Sequence, residues 1–138
     1  MNKNEFKQWI KGYEKFKSKP YVDTVGKLTI GYGRNIEDNG ISIQEAEYLL
    51  DNDIKKTEHD LLGFSWYIKA PGNVKDALMN MCFNLGLPKL LTFKNMIRAI
   101  NNGDYTQAAL EALNSKWATQ VGDRAKDVAL MLRETNNN

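Results

Sequence analysis

The chain has 138 residues, of which 42% are hydrophobic and 26% are charged, and its formal net charge is +2. This balance is ordinary for one globular domain. No apolar run approaches the roughly 20 residues that a bilayer-spanning helix needs, which excludes such a helix. The N-terminus from Met1 to Lys7 lacks the apolar core of a signal peptide, so we expect synthesis in a cytoplasm without export by that route.

The first predicted element is an amphipathic helix over residues 3 to 14, in which Phe6, Ile10 and Tyr13 recur at helical spacing. The first nineteen residues also carry Lys3, Lys7, Lys11, Lys15, Lys17 and Lys19. The simplest interpretation of these lysines is a solvated face. The alternatives are a surface that steers the protein to anionic cell-wall polymers, a membrane-surface helix and a nucleic-acid-binding helix.

Two short strands are predicted next, at residues 21–24 and 27–32, with Val25-Gly26 turning the chain between them. A third extended piece is predicted to run through Ile36 before Asn39-Gly40 turns the chain again. Together these pieces indicate a small β-hairpin region.

A capping-box pattern from Ser42 to Glu45 predicts the start of a long helix over residues 42–62. Its apolar positions form one continuous face. They are Ile43, Ala46, Leu50, Ile54, Thr57 and Leu61. We expect this helix to connect two lobes.

The second half of the chain is predicted to be helical. Residues 74–85 form the most apolar segment and should be the most buried helix, with Gly86 at its end and Cys82 as a buried, reduced thiol. Further helices are predicted at residues 93–101, 105–113, 116–120 and 124–134. Asp104 and Asp123 are the candidate N-caps, and we expect residues 136–138 to form a frayed tail.

These elements predict a single α+β domain with two lobes. Its parts are an N-terminal helix (1–14) on the helical lobe, a β lobe (15–41), the connecting helix (42–62), the helical lobe (63–135) and the tail (136–138). A cleft is expected between the lobes. An enzyme that cleaves a polymer needs such an open groove.

Three polar residues lie before and within the predicted hairpin. Glu14 ends the first helix, Asp23 follows after eight intervening residues, and Thr29 follows after five more. Two carboxylates that face each other across a cleft are the minimal equipment for acid/base cleavage of a glycosidic bond. Considered without their context, Glu14 and Asp23 are better interpreted as solvated surface acids.

The block around them resembles the phage-type lysozyme (endolysin) family, glycoside hydrolase family 24, of the T-even phage lysozyme kind. That family carries the same Glu, Asp and Thr spacing, with the Thr inside a Thr-Ile-Gly-Tyr-Gly-like strand. The surrounding matches are Tyr21, Gly26, Ile30, Gly31 and Gly33. The resemblance continues through Ala77–Gly86, Ser115–Trp117 and Arg124-Ala125, and so covers nearly the whole chain.

The resemblance implies a lysozyme-like two-lobed fold and a muramidase that needs no cofactor. Its substrate would be the β-1,4 bond between N-acetylmuramic acid and N-acetylglucosamine in peptidoglycan. Glu14, beside Tyr13 and Phe16, would be a partly buried general acid. Asp23 and Thr29 would position the attacking water in an inverting scheme, for which the two carboxyl groups lie roughly 6.5–9.5 Å apart.

The resemblance also assigns residues in the helical half to substrate binding. These are Asn80, Phe83, Asn84 and Trp117. Trp117 either stacks on a sugar ring or is a core tryptophan behind the cleft, and Tyr21 has a supporting position. Arg124 would contact Glu14 from the other lobe; the alternative is a surface arginine beside Asp123.

Two positions depart from the family pattern. Lys15 stands where glycine commonly follows the catalytic glutamate, so the backbone there must suit a side chain. Arg34 stands where histidine is often found, so an interaction built on that histidine must differ here. The segment from Gly33 to Ser42 is also shorter than in the long members of the family.

No metal site is predicted. His59 is the one histidine and lies among charged residues, and Asp51-Asn52-Asp53 lacks the glycine and the closing glutamate of a calcium loop. We expect a monomer that acts on peptidoglycan in the periplasm, needs a holin-like membrane permeabiliser to reach it, and binds no nucleic acid. The alternative is a non-catalytic protein that binds the cell wall, or anionic polymers through its basic helix.

Overall fold

The computed structural model describes residues 1–134, so the tail predicted at residues 136–138 lies outside the described residues. The chain is mostly helical with a small three-stranded antiparallel sheet, which confirms the predicted α+β class. It divides into two compact units, Met1–Leu49 and Leu50–Asn138, and the division falls within one long helix. Within the described part, no helix is both long and apolar enough to cross a membrane.

The first unit contains α1 (Lys3–Tyr13), β1 (Lys17–Val22), β2 (Leu28–Gly31), β3 (Arg34–Asn35), α2 (Ile36–Asn39) and the start of α3 (Ile43–Leu61). The second unit contains the rest of α3, α4 (Ser65–Ile68), α5 (Gly72–Leu85), α6 (Leu87–Leu90), α7 (Lys94–Asn101), α8 (Tyr105–Leu113), α9 (Lys116–Val121) and α10 (Asp123–Arg133). The long predicted helices are confirmed. The four-residue helices α2, α4 and α6 were not predicted.

Helix α1 begins at a capping box, in which the Asn2 side chain accepts a hydrogen bond from the Glu5 N–H at 2.9 Å. The helix ends at Tyr13. Glu14 is its C-cap, with an N–H that donates to the Ile10 carbonyl at 2.8 Å and with extended backbone angles. The chain therefore leaves α1 at Glu14 in the extended conformation that β1 continues.

The sheet has the order β1-β2-β3, which makes β1 an edge strand. The predicted limits of this strand were wrong, because it runs from Lys17 to Val22 and includes Pro20. Proline has no N–H for a sheet hydrogen bond and is tolerated on an edge strand or at a bulge. Here the register shifts between Lys17 and Tyr21, so Pro20 lies where the pairing is irregular.

The extended piece predicted through Ile36 is only partly present. Strand β3 contains two residues, and the chain then turns into α2. The cause is Asn35, whose side chain accepts a hydrogen bond from the Asp38 N–H at 3.0 Å and so begins a helix.

Helix α3 begins as predicted, because the Ser42 hydroxyl accepts from the Glu45 N–H at 3.1 Å and Glu45 accepts from the Ser42 N–H at 2.8 Å. The predicted apolar face is buried only near its C-terminal end, at Thr57 and Leu61. Ile43 is 76% exposed.

Helix α5 carries the centre of the second unit's core, as predicted. Its buried residues are Val74, Ala77, Leu78, Met81 and Cys82. Side chains of α7, α8 and α10 complete the core, including Met96, Ala108 and Leu132. Cys82 is only 3% exposed, which confirms its predicted burial, and burial raises the pKa of its thiol.

The two predicted N-caps had different outcomes. Asp104 caps α8, because its side chain accepts from the Gln107 N–H at 3.1 Å. The prediction for Asp123 was wrong, because Gly122 is the N-cap of α10 and Asp123 is the first residue of that helix. Gly122 has a φ of 61° and also ends α9, so a single glycine joins the two helices.

Candidate active site

Glu14 lies at the junction of α1 and the sheet, and its carboxyl group lies directly against Gly33. A Cβ atom added at Gly33 would come within 2.6 Å of Glu14 Oε2 and 2.7 Å of Glu14 Cδ. Gly33 also has a φ of 75°, a conformation that favours glycine. Position 33 therefore disfavours any side chain for two separate reasons. One is its positive φ, and the other is its contact with the carboxyl group of the candidate acid, Glu14. Glu14 itself is exposed, contrary to the partial burial expected from its aromatic neighbours.

The turn that carries Gly33 is docked onto the residues around Glu14. We call Gly31, Tyr32 and Gly33 the glycine turn; it joins β2 to β3. The Tyr32 ring packs on Phe16 with centroids 5.5 Å apart, and Lys11 Nζ lies 5.0 Å from the Tyr32 centroid. Contacts on either side of Glu14 in the sequence thus hold the glycine turn against it.

Lys15, which replaces a glycine of the family pattern, is accommodated without a left-handed backbone. No non-glycine residue in the part of the chain that the structure describes has a positive φ. The extended conformation of Glu14 makes such an angle unnecessary, because the chain leaves the helix at that residue and begins β1 three residues later.

Asp23 follows β1, and the turn it begins fixes its carboxylate. A single oxygen, Oδ1, accepts from the Val25 N–H at 3.0 Å and from the Lys27 N–H at 2.9 Å. The Asp23 N–H in turn donates to the Lys27 carbonyl at 2.9 Å. The other carboxylate oxygen takes no part in these turn contacts.

Thr29 lies in the middle strand, paired with Tyr21 on β1 and with Asn35 on β3. Its side chain is 2% exposed, and its hydroxyl donates to the Lys27 carbonyl at 2.9 Å. Because that proton is committed, the hydroxyl can still accept a hydrogen bond but has no proton left to donate.

The backbone of Lys27 therefore holds two of the three predicted residues. Its N–H donates to Asp23 and its carbonyl accepts from Thr29. This role could not be predicted from the sequence, because nearly every residue type offers the same backbone N–H and carbonyl groups.

The second unit positions the predicted substrate-binding residues on α5. Asn80, Phe83 and Asn84 stand three and four positions apart and share a face of the helix, and Phe83 is 41% exposed. Asn80 Oδ1 accepts from Arg124 Nε at 2.7 Å, and Arg124 also reaches the Asn80 carbonyl at 3.4 Å. Arg124 is thus hydrogen-bonded within its own unit, and its contact with Glu14 stays a prediction.

Trp117 is a core residue whose indole N–H makes one hydrogen bond. It is 4% exposed and packs edge-on against Phe93 at 6.2 Å. Its Nε1–H donates to Asn84 Oδ1 at 2.7 Å. Of the two alternatives for Trp117, its burial favours the core tryptophan, and its one side-chain hydrogen bond goes to the Asn84 amide.

A groove of about 480 Å³ opens in the second unit. Trp117 and Phe93 line it, together with Lys89, Lys94 and Lys116. Trp117 is the only predicted site residue among its lining side chains, so this groove is not where the acid/base residues lie.

Arg34 and Glu45 form a pair that sequence reasoning did not find. The guanidinium engages both carboxylate oxygens, with Nη1 to Oε1 at 3.0 Å and Nη2 to Oε2 at 2.5 Å, and Nη1 also donates to the Gly40 carbonyl at 3.0 Å. Hydrogen bonds from Arg34 and from the Ser42 N–H lower the pKa of Glu45 to about 2. The one indication of this pair in the sequence was that position 34 is arginine where the family often has histidine. Nothing in the sequence indicated Glu45, eleven residues away, as its partner.

Comparisons with known proteins agree with one another. The family model described as Phage lysozyme matches residues 11–136. "Probable T4-type lysozyme 2" of Dictyostelium discoideum is 28% identical over 91% of both chains. "Endolysin" of Acyrthosiphon pisum secondary endosymbiont phage 1 is 33% identical over 79% of this chain and 74% of the relative. "SAR-endolysin" of Bacteriophage PS119 is 34% identical over 83% of this chain and 69% of the relative.

Proposed function

The chain belongs to the phage lysozyme family, and we propose that Glu14, Asp23 and Thr29 carry out its reaction. It is a glycoside hydrolase, a muramidase that degrades peptidoglycan in host lysis. The observation that carries the assignment of residues is the contact between the Glu14 carboxyl and Gly33, because it gives an exposed glutamate a defined place beside the sheet that holds Asp23 and Thr29.

Glu14 is the general acid in this proposal. Its carboxyl group gives a proton to the glycosidic oxygen as the bond to the anomeric carbon breaks, and the sugar passes through an oxocarbenium-like transition state. An exposed carboxyl group at the end of a helix can be reached by a polymer that lies along the surface. A bound sugar chain would add to the surroundings of this carboxyl group.

Asp23 and Thr29 prepare the attacking water. The carboxylate oxygen of Asp23 that the turn does not use accepts one water proton. The Thr29 hydroxyl, which already donates to the Lys27 carbonyl, accepts a hydrogen bond from the other O–H of the same water, and that hydrogen stays on the oxygen that joins the sugar. This leaves the water lone pair free to attack the anomeric carbon on the face opposite the leaving group, which is the inverting scheme. Tyr21 supports Thr29 as its partner across the sheet.

Asn80, Phe83 and Asn84 bind the sugar chain in this proposal. The hydrogen bond from Trp117 occupies Asn84 Oδ1, and the amide NH₂ of Asn84 is left to donate to a sugar. Arg124 fixes Asn80 in the same way, through its side-chain oxygen. Both asparagines are thus held by a buried or partly buried partner before substrate arrives, and Phe83 adds an apolar surface between them.

The setting of the reaction extends the proposal. The chain acts on the cell wall as a monomer, after synthesis in the host cytoplasm, and a holin-like protein gives it access to the periplasm. The endolysin names among the relatives support the cell wall as the place of action. No nucleic acid is involved.

The test of the acid is Glu14→Gln, which keeps the shape of the side chain and removes its proton-donating group. Loss of a general acid typically lowers the rate about 10²–10⁴-fold. The measurement is the release of reducing ends from outer-membrane-permeabilised Gram-negative cells, together with the fall in turbidity. Circular dichroism checks the fold.

The matched control is Glu5→Gln, the same change on the same helix. Glutamine preserves the capping box of α1, so lysis should be unchanged. If folded Glu14→Gln and Glu5→Gln lyse cells at the same rate, Glu14 is not the acid.

A further inference from the structure

The backbone that meets the Glu14 carboxyl is one residue from an ion pair. Gly33 lies against Glu14 Oε2, and the next residue, Arg34, begins β3. The glycine turn is therefore held at two ends. On one side Tyr32 packs on Phe16 and receives Lys11, and on the other side Arg34 makes three hydrogen bonds.

The Arg34 side chain ties β3 to the start of α3. Its guanidinium binds both oxygens of Glu45 and the carbonyl of Gly40. Glu45 is itself fixed, because it accepts from the Ser42 N–H in the capping box that begins α3. A planar guanidinium that binds a carboxylate through two parallel hydrogen bonds fixes direction as well as distance.

The pair is poorly explained by stability alone. The side chains of Arg34 and Glu45 are 42% and 41% exposed. Ion pairs this exposed contribute little to folding, since solvent screens them and ordering two long side chains costs entropy. The pair does lie one residue from Gly33, where the Glu14 carboxyl has its contact.

We propose that Arg34 is a positioning residue for the general acid, which it holds in place through Glu45, Gly40 and the backbone of Gly33. This inference rests on the assignment of Glu14 under the proposed function. Without the pair, the glycine turn can move away from α1 and the Glu14 carboxyl gains conformations that do not face the glycosidic oxygen. Displacing a catalytic group by about 1 Å can cost as much as 10²-fold in rate.

The test uses four variants on soluble peptidoglycan fragments: Arg34→Gln, Glu45→Gln, the double variant and Lys56→Gln. Glu45→Gln keeps an acceptor for the Ser42 N–H, so α3 retains its cap. Lys56→Gln is the matched control, because it also removes one exposed positive charge from an ion pair, here with Asp60 at 2.7 Å, and touches no proposed site residue.

Arg34→Gln is expected to lower kcat about tenfold, with KM changed less than about twofold and a similar melting temperature. Glu45→Gln should give the same loss, and the double variant should be no worse than either single one, because both changes break one pair. Lys56→Gln should match wild type. Should Arg34→Gln fail to fold, Glu45→Gln alone carries the test.

The proposal is overturned if Arg34→Gln or Glu45→Gln keeps the kcat of Lys56→Gln, or if the loss appears in KM alone. Losses that multiply in the double variant also contradict it. Glu14→Gln is measured beside these variants. If Glu14→Gln is itself active, the assignment of the acid has failed; if it is inactive while Arg34→Gln is normal, only the positioning role has failed.

Discussion

The two units are stabilised by different kinds of interaction. In residues 1–49, all of which the structure describes, Thr29 is the only buried residue. The second unit holds a continuous apolar core that includes Leu61, Leu78, Met81 and Leu132, each 0% exposed. The first unit takes its shape from caps, turns and ion pairs, whereas the second takes its shape from burial. Changes in the first unit should therefore affect catalysis more than folding, and changes in the second should do the reverse.

The largest expected effect is a loss of stability in the second unit. Leu132→Ala removes a side chain that is 0% exposed on α10 and should lower the free energy of unfolding by about 2–5 kcal/mol. Leu130 on the same helix is 46% exposed, so Leu130→Ala should cost far less. Urea unfolding of both variants measures the difference. Equal losses would mean that burial does not organise this unit.

The next effect is a loss of activity in the first unit. Gly33→Ala places a Cβ within 2.6 Å of Glu14 Oε2, and the carboxyl must move. We expect kcat to fall about 10²-fold, because the acid is displaced. The left-handed backbone of Gly33 adds a folding cost of about 1–2 kcal/mol.

Gly12→Ala is the control for this change. A Cβ at Gly12, within α1, meets nothing within 4 Å, so the variant should be fully active and more stable by about 0.4–1 kcal/mol. The account is wrong about the glycine turn if Gly33→Ala retains wild-type kcat.

The smallest effect concerns pH and the Arg34–Glu45 pair. The pKa of Glu45 lies near 2 in the folded chain, below its ordinary value of 4.5, so charged Glu45 stabilises the fold, by a small amount because solvent screens a pair this exposed. This contribution is fully present above about pH 4.5 and is lost as the pH falls toward 2. The urea midpoints of wild type and Glu45→Gln should differ most above pH 5 and converge in acid. A difference that stays constant down to pH 2 would contradict the charge pairing.

The same contrast explains what could be predicted from the sequence. Helix α5 was predicted because its apolar residues repeat with the helical period, and burial imposes that period. Its position and its buried residues, Cys82 among them, were confirmed. The four-residue helices α2, α4 and α6 are too short for any period to be detected, and β1 begins at Lys17, four residues before the predicted strand.

The site was predictable as a set of residues but not as a geometry. The spacing of Glu14, Asp23 and Thr29 identified the candidates. Their supports are the Lys27 backbone and the Gly33 contact, and these depend on turn conformation rather than on residue type. The Arg34–Glu45 pair joins positions eleven residues apart across a short helix, so no local pattern indicated it.

The most direct test of the central claim is the configuration of the fresh product. If Asp23 and Thr29 deliver water to the face opposite the leaving group, cleavage of the β-1,4 bond first gives the α-anomer. Proton NMR of soluble peptidoglycan oligomers, recorded before mutarotation, distinguishes the two anomers. The account predicts that the α-anomer appears first. Initial release of the β-anomer would contradict it, because retention requires a carboxylate that bonds to the sugar instead of one that holds a water.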